Sequence, residues 1–152
     1  ALQFISYYHP QDFIQAMSRA YDREENKAAK DAIAQILINS RMCAEGHRPI
    51  CQDTGIVNVF LEVGLDVKFD LTMSLDDAIN EGVRQGYLEN SNILRASVLA
   101  DPAFGRKNTK DNTPAVIHYK LVPGNKVDIT VAAKGGGSEN KSKLTTENCG
   151  QQ

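Results

Sequence analysis

Residues 48–55 (RPICQDTG) place a cysteine beside an amide, a carboxylate and a hydroxyl group. A run of β-branched and apolar residues follows, so Cys51 is predicted to lie in a loop that leads into a strand. A thiolate in such a loop can ligate a metal or act as a nucleophile, and the polar neighbours can bind a substrate. The residue types alone also allow Cys51 to be buried in a tight turn that Asp53 and Thr54 cap, because cysteine is often buried without a functional role.

Residues 134–142 (KGGGSENKS) form a second candidate site. Three consecutive glycines let backbone N–H groups approach an anion closely. The segment nearly matches a phosphate-binding P-loop, but Asn140 stands where the second glycine of that motif is expected. The residues alone leave three interpretations open: a flexible connector, a loop that binds an anion or a substrate, and a nucleotide-binding loop.

Arg95 is a third candidate, because it stands among apolar residues in the segment 92–96 (NILRA). Its guanidinium can bind a carboxylate through two parallel hydrogen bonds, although a structural ion pair is the alternative. The histidines match no zinc-binding spacing, since His9, His47 and His118 are widely separated in the sequence. Cys43 is predicted to pack at the end of a helix.

The spacing of apolar residues predicts the elements that must position these side chains. Helices are expected from Pro10 onwards, over 26–42, and from Ser74 to Tyr87; strands are expected over 56–63, 67–69, 115–122 and 126–133. The turn at 123–125 (PGN) predicts that the last two strands pair as a hairpin, and residues 101–113 are predicted to form a long loop. The expected fold class is α/β, with N-terminal helices packed on a small mixed or antiparallel sheet that includes a C-terminal hairpin.

The composition excludes several classes of protein. Of the 152 residues, 41% are hydrophobic and 24% are charged, which is typical of a globular domain and not of a disordered chain or a coiled coil. The net charge of −2 disfavours binding to nucleic acid, and no apolar run is long enough to span a membrane. Three cysteines without a recognisable secretory signal favour a reducing compartment, so a cytoplasmic location is expected.

Four segments, in this order, resemble the N-terminal part of class I, iron–sulfur-dependent fumarate hydratases: 48–55, 92–97 (NILRAS), 112–119 (NTPAVIHY) and 134–142. The α subunit of the two-subunit tartrate dehydratases is of the same kind. The similarity extends from about residue 2 to residue 143. It implies that residues 1–143 are the N-terminal cluster- and substrate-binding domain of a hydro-lyase, and that residues 144–152 are a divergent or truncated tail.

The resemblance also implies roles for individual residues. Three cysteines of that family hold a [4Fe–4S] cluster and leave one iron open to substrate. Cys51 matches the first of these ligands, and the other two are expected outside this chain, because the surroundings of Cys149 (ENCGQQ) do not match the family. The substrate is expected to contact Gln52, Asp53, Arg95 and the backbone of Gly137, with Asp53 and Arg95 as catalytic residues. Further candidates for the pocket are Thr54, Gly136, Ser138, Asn140 and Lys141.

The expected activity is the reversible hydration of fumarate to malate, a reaction of the tricarboxylic acid cycle. Dehydration of tartrate or a related hydroxy-dicarboxylate, by an α subunit, is the alternative. A nucleotide-binding module that uses residues 134–142 as a degenerate P-loop, and a non-catalytic interaction domain, are alternatives of other classes. The hydro-lyase interpretation implies a small dicarboxylate substrate and a C-terminal domain or β subunit as partner. The complete enzyme is expected to be a homo-oligomer, a homodimer when one chain carries both halves, and this chain alone is expected to be inactive.

Overall fold

The computed structural model describes residues 1–51 and 54–135. In chain order, the elements are α1 (Leu2–Tyr7), α2 (Gln11–Arg23), α3 (Lys27–Gly46), β1 (Ile56–Gly64), α4 (Leu75–Tyr87), β2 (Val116–Val122) and β3 (Val127–Lys134). Three helices precede the first described strand, and the described strands form a mixed sheet. The predicted α/β class, with N-terminal helices and a small mixed sheet, is confirmed. Among the described helices, none is both long and apolar enough to cross a lipid bilayer.

The predicted helix starts are confirmed, because local signals determine them. Pro10 immediately precedes α2. The Asn26 side chain accepts a hydrogen bond from the Ala29 N–H at 3.2 Å and caps α3. The Ser74 hydroxyl accepts one from the Asp77 N–H at 3.1 Å and caps α4. Each cap satisfies a backbone donor that the first turn of a helix leaves without a partner.

Two helical features differ from the prediction. Helix α3 continues past Met42 to Gly46, and the chain then turns at His47, whose φ of 47° is left-handed. Helix α1 has no counterpart in the sequence prediction, because its six residues (LQFISY) are too few to display a periodic apolar face. It nevertheless contributes Leu2, which is 8% exposed, to the core.

The sheet has the order β2–β1–β3, with β1 in the centre. Strand β1 runs parallel to β2 and antiparallel to β3, so that Val59 lies opposite Ile117 on one side and Val131 on the other. The predicted hairpin is therefore wrong. Both of its strands form where they are expected, but each pairs with β1 and not with the other. Residues 67–69 belong to no strand, which corrects the predicted return strand.

The link between β2 and β3 crosses the end of β1. The Gly64 N–H donates to the Lys126 carbonyl at 2.8 Å, and the Asp66 N–H donates to the Gly124 carbonyl at 2.9 Å. In a hairpin, the carbonyls of the turn would accept hydrogen bonds from the turn's own strands. Here they accept them from backbone N–H groups at and just after the end of β1. This use of backbone groups explains why a turn-rich segment joins two strands that are not neighbours.

The core lies between one face of the sheet and helices α1 and α4. Val57 and Val59 of β1 are at most 2% exposed and cluster with Leu2, Val83 and Tyr87. The opposite face of β1 carries Phe60, which is 45% exposed and stacks on His118 of β2 with ring centroids 4.8 Å apart. His118 is thus a strand-face residue, as predicted.

Candidate functional site

Hydrogen bonds anchor Ile50 before Cys51 and Thr54 after it. Before it, the Ile50 N–H donates to the Ser6 carbonyl at 2.8 Å, and the Asn39 amide donates to the Ile50 carbonyl at 3.1 Å. After it, the buried Tyr87 hydroxyl donates to the Thr54 carbonyl at 3.1 Å. Helices α1, α3 and α4 therefore all contribute to the placement of the Cys51 loop.

Cys51 and Cys43 have opposite environments. Cys43 is 4% exposed, and its sulfur lies 3.6 Å from both the Asn39 side-chain oxygen and the Pro49 carbonyl. It packs at the end of α3, as predicted. Cys51 is exposed. The interpretation of Cys51 as a buried residue in a capped turn is therefore wrong, and its thiol is accessible for chemistry.

A small cavity of about 130 Å³ opens beside the Cys51 loop. Helix α1, the loop itself and the end of β3 form its walls. Its lining residues are Ile5, Ser6, Pro49, Ile50, Cys51, Thr54 and Ala133. Cys51 thus lies next to a concave surface that combines polar and apolar groups, as ligand sites commonly do.

Thr54 connects the Cys51 loop to the segment that carries Arg95. The Thr54 side chain is buried, and its hydroxyl donates a hydrogen bond to the Arg95 carbonyl. The neighbouring Leu94 is 2% exposed, and its N–H donates to the Tyr87 carbonyl at 3.1 Å. The Arg95 side chain is exposed. The fold therefore brings Thr54 and the backbone of Arg95 together, and both residues are candidates that the sequence identifies in separate segments.

The start of the glycine-rich segment lies at the same end of the sheet as the start of β1, which follows Thr54. Lys134, the last residue of β3, lies opposite Ile56, the first residue of β1. Gly55 has a φ of +76°, and a Cβ there would be only 2.7 Å from the Lys134 carbonyl carbon. Several predicted residues lie outside the described residues, namely Gln52, Asp53, Gly136, Gly137, Ser138, Asn140, Lys141 and Cys149.

Sequence reasoning missed Asn112, which is completely buried. It lies at the end of the loop 101–113, which is confirmed as a loop, and has a φ of 63°. Its side chain bonds to the backbone of Gly55, Ser97 and Val98, directly beyond Thr54 and Arg95. The segment 112–119 attracted attention in the sequence, but only the folded chain shows what its first residue contacts.

The described histidines lie in separate places, as their sequence spacing predicts. Burial lowers the pKa of His9. Each contacts a different neighbour: His9 the Ser40 hydroxyl at 3.0 Å, His47 the Tyr8 hydroxyl at 3.1 Å, and His118 the Phe60 ring. Within residues 1–51 and 54–135, no three His, Cys, Asp or Glu side chains form a group that could hold a metal ion.

The sequence model of one family, described as fumarate hydratase (Fumerase), matches residues 1–152. The chain belongs to this family. It is 32% identical over 142 residues to the putative L(+)-tartrate dehydratase subunit alpha of Methanocaldococcus jannaschii, covering 90% of this chain and 48% of that protein. It is 34% identical over 128 residues to the anaerobic class I fumarate hydratase of Escherichia coli, covering 84% of this chain and 23% of that protein.

An L(+)-tartrate dehydratase subunit alpha of Escherichia coli is 28% identical to this fumarate hydratase family member over 129 residues. That alignment covers 84% of this chain and 42% of the relative. The chain therefore spans about half, or less, of the length of these relatives. The predicted resemblance to class I fumarate hydratases and tartrate dehydratase α subunits is confirmed.

Class I fumarate hydratases depend on an iron–sulfur cluster, and Cys51 meets the chemical requirements for one of its ligands. Iron–sulfur clusters are held by Cys thiolates, which must be accessible to the metal. Cys51 is exposed, whereas Cys43 is buried. The accessible thiol of Cys51 therefore fits one ligand of such a cluster.

Proposed function

We propose that this chain is the N-terminal part of an iron–sulfur hydro-lyase that interconverts fumarate and malate. The family match supports the reaction class. The observation that carries the proposal is the hydrogen bond from the Thr54 hydroxyl to the Arg95 carbonyl. It joins the backbone of the segment that carries Arg95 to Thr54, three residues after Cys51, and a thiolate and a guanidinium are the groups that a cluster-bound dicarboxylate needs on this side of the site.

Cys51 is proposed to supply one thiolate to a [4Fe–4S] cluster, with the remaining ligands outside this chain. Such a cluster, held by three cysteines, supplies an open iron that acts as a Lewis acid toward the substrate hydroxyl and a carboxylate. Hydrogen bonds from Asn39 and Tyr87 anchor Ile50 and Thr54, the backbone on either side of Cys51, before any ligand binds. This preorganisation reduces the rearrangement that binding requires.

Arg95 is proposed to bind one carboxylate of the substrate. A guanidinium offers two parallel N–H donors to a carboxylate, which fixes the direction of the carbon chain as well as its position. Gln52 and the Gly137 backbone are proposed to complete the pocket. Asp53, an acceptor when ionised, is proposed to take a hydrogen bond from the substrate hydroxyl or from Arg95. These groups would act by orientation and by stabilising developing charge.

The complete enzyme is proposed to include a C-terminal domain or a β subunit, which would supply the other cluster ligands and the base that removes the proton. The relatives support this arrangement, because they are about twice as long as the chain or longer, and two of them are named as α subunits. A homodimer, or an α/β assembly if the protein is split, is proposed as the active form. A reducing compartment, the cytoplasm, would suit both the cluster and the free thiols.

Tartrate or a related hydroxy-dicarboxylate is the second candidate substrate. The putative L(+)-tartrate dehydratase subunit alpha supports it, because that relative is 32% identical to this chain over 142 residues. Malate and tartrate would each present a carboxylate to Arg95 and a hydroxyl to an open iron. The residues of this half therefore suit either substrate, and a direct comparison of activities has to decide.

The first test uses the complete gene product, produced with its partner subunit if it has one and purified without oxygen. We expect about four iron and four sulfide ions per active site. Cys51→Ser should lose the cluster and the activity, because an alcohol is a poor iron ligand. Cys43→Ser is the matched control. It changes a buried thiol near the end of α3, and this variant should keep the cluster. Protein that takes up neither iron nor sulfide after reconstitution would exclude the proposal.

The second test separates the substrates and examines Arg95. Fumarate hydration and tartrate dehydration are measured on the same preparation, and the higher kcat/KM identifies the substrate. Arg95→Lys keeps the charge but loses the paired donors, so we expect KM for the dicarboxylate to rise about 10-fold or more while the cluster remains. An unchanged KM would show that Arg95 does not bind the substrate.

A further inference from the structure

Asn112 has no role in the proposed site, yet its side chain makes several hydrogen bonds beside it. It is 0% exposed. Its side-chain oxygen accepts from the Ser97 N–H at 2.7 Å and from the Val98 N–H at 3.2 Å. Its side-chain nitrogen donates to the Gly55 carbonyl at 2.9 Å. One buried amide therefore joins its own segment to two other parts of the chain, at Gly55 and at Ser97 and Val98.

The groups that Asn112 joins lie close in sequence to the two proposed functional residues. Gly55 ends the segment that carries Cys51, and Ser97 follows Arg95 by two positions. The Ser97 hydroxyl also donates to the Gly55 carbonyl at 3.1 Å. Together with the bond from Thr54 to the Arg95 carbonyl, these contacts connect the two segments at two successive points. Two connections fix both the distance and the relative orientation of the segments, whereas one would allow rotation.

The residue type at position 112 fits this task closely. The backbone there has a φ of 63°, and asparagine tolerates the left-handed region better than most residues with a side chain. An amide offers an acceptor and a donor from one flat group, and Asn112 uses both. Aspartate has the same shape but, when ionised, would set an acceptor against the Gly55 carbonyl. Asparagine therefore meets a backbone and a hydrogen-bonding requirement at once.

We infer that Asn112 is a positioning residue, which sets the placement of the Arg95 guanidinium relative to the cluster ligand Cys51. The inference rests on the proposed function. Asn112 acts through the backbone of Gly55 and Ser97 and does not touch the substrate. Misplacement of a substrate-binding group by about 1 Å can cost a 100-fold loss of rate, so a residue of this kind affects turnover without contributing an atom to the pocket.

The test compares Asn112→Asp with a matched substitution at Asn80, in the complete, cluster-loaded enzyme. Asn80 also accepts from a backbone N–H, of Ala115 at 2.8 Å, and donates to a backbone carbonyl, of Asp76 at 3.0 Å. Asn80→Asp thus loses the same kind of donor outside the proposed site. We expect Asn112→Asp to keep its iron and sulfide but to lose about 10-fold to 100-fold in kcat/KM. In dithionite-reduced enzyme, the change in the cluster's electron paramagnetic resonance spectrum on adding substrate should be altered as well. Asn80→Asp should show neither effect.

A milder pair of variants keeps the test decisive if Asn112→Asp does not fold. Ser97→Ala removes the hydroxyl bond to Gly55, and Ser97→Thr retains a hydroxyl. We expect Ser97→Ala to lower kcat/KM in the same direction, by about 3-fold to 10-fold, and Ser97→Thr to restore it.

The outcomes distinguish the two proposals. Wild-type enzyme that is active, with Asn112→Asp or Ser97→Ala indistinguishable from Asn80→Asp in kcat/KM and in the spectrum, would overturn the positioning role alone. Wild-type enzyme without iron, sulfide or activity would overturn the proposed function and this inference with it. Loss of kcat/KM with an intact cluster, restored by Ser97→Thr, would establish the positioning role.

Discussion

Gly64, at the end of β1, lies beneath the link between β2 and β3, and replacing it with alanine tests the unusual sheet connection. A Cβ added at Gly64 would lie 2.6 Å from the Gly124 carbonyl carbon and 2.9 Å from the Asn125 nitrogen. Both are backbone atoms, and real Cβ atoms essentially never approach so closely. No side-chain rotation can relieve the overlap, so the link itself has to move away from β1.

The cost follows from the hydrogen bonds that this movement would weaken. The link and the end of β1 share bonds from Gly64 to Lys126 at 2.8 Å, from Leu65 to Val122 at 2.9 Å, and from Asp66 to Gly124 at 2.9 Å. Each backbone hydrogen bond contributes roughly 0.5–1.5 kcal/mol net. Loss or distortion of most of them gives an expected decrease of about 2–4 kcal/mol in the free energy of unfolding, a large effect for one methyl group.

Urea unfolding followed by circular dichroism measures this decrease. With a slope of about 1–3 kcal/mol per molar urea, a loss of roughly 3 kcal/mol moves the midpoint down by about 1 M or more. Gly82→Ala is the matched control, because a Cβ at Gly82 meets no atom within 4 Å. It should stabilise α4 by about 0.5–1 kcal/mol. A Gly64→Ala variant as stable as the wild type would refute the crossing of β1 by the link.

Three further perturbations have defined outcomes. Gly55→Ala should destabilise the chain by more than the roughly 1–2 kcal/mol typical of left-handed strain, because its Cβ would also meet the Lys134 carbonyl; urea unfolding checks this. Burial lowers the pKa of His9 from its ordinary value of 6.5. The free energy of unfolding should therefore be highest above pH 6.5 and fall as the pH drops through the lowered pKa. His9→Gln should flatten this pH dependence, measured by unfolding at several pH values. The hydrogen bond from Tyr119 to Asp76 raises the pKa of Tyr119 to about 12. In an ultraviolet titration, one tyrosine should therefore ionise at a higher pH than usual, and Tyr119→Phe should remove that step. A titration that the substitution leaves unchanged would contradict the bond.

Local signals in the sequence predict the helices well. Asn26 and Ser74 each satisfy a backbone donor within three residues, so their effect does not depend on the rest of the fold. The end of α3 is less predictable, because nothing between Met42 and Gly46 prevents another turn of helix. Strands β1, β2 and β3 are also visible as β-branched runs, and the structure contains all of them close to the predicted limits.

Strand pairing is where the sequence prediction fails, for a physical reason. A short link rich in turn residues suits a hairpin, but it equally suits a crossing over the end of a third strand. The choice depends on β1, whose Gly64 lies about sixty residues before the link and gives it room to pass. One signal was available in retrospect, namely a glycine that ends an otherwise β-branched strand.

The candidate site shows the same division between local and distant information. The type and neighbours of Cys51 and Arg95 make them candidates, and the resemblance to the family assigns their roles; Cys43 is predicted to pack at the end of a helix. Asn112 could not be selected in this way, because its partners Ser97 and Gly55 lie 15 and 57 residues away. A buried amide with distant partners leaves no periodic or spacing signal in the sequence.

The hydrogen bonds around the site allow loss of function to be separated from loss of structure. The contacts that hold the Cys51 loop use backbone groups of Ile50, Thr54 and Gly55, and none of the described ones uses the Cys51 side chain. Replacing this thiol therefore removes the proposed cluster ligand while the frame around it keeps its hydrogen bonds. Changes at the supporting residues have the opposite effect. A substitution at Asn112 disturbs the frame, but the Cys51 thiol is still present. The two kinds of variant should thus differ in iron content even where both lose activity.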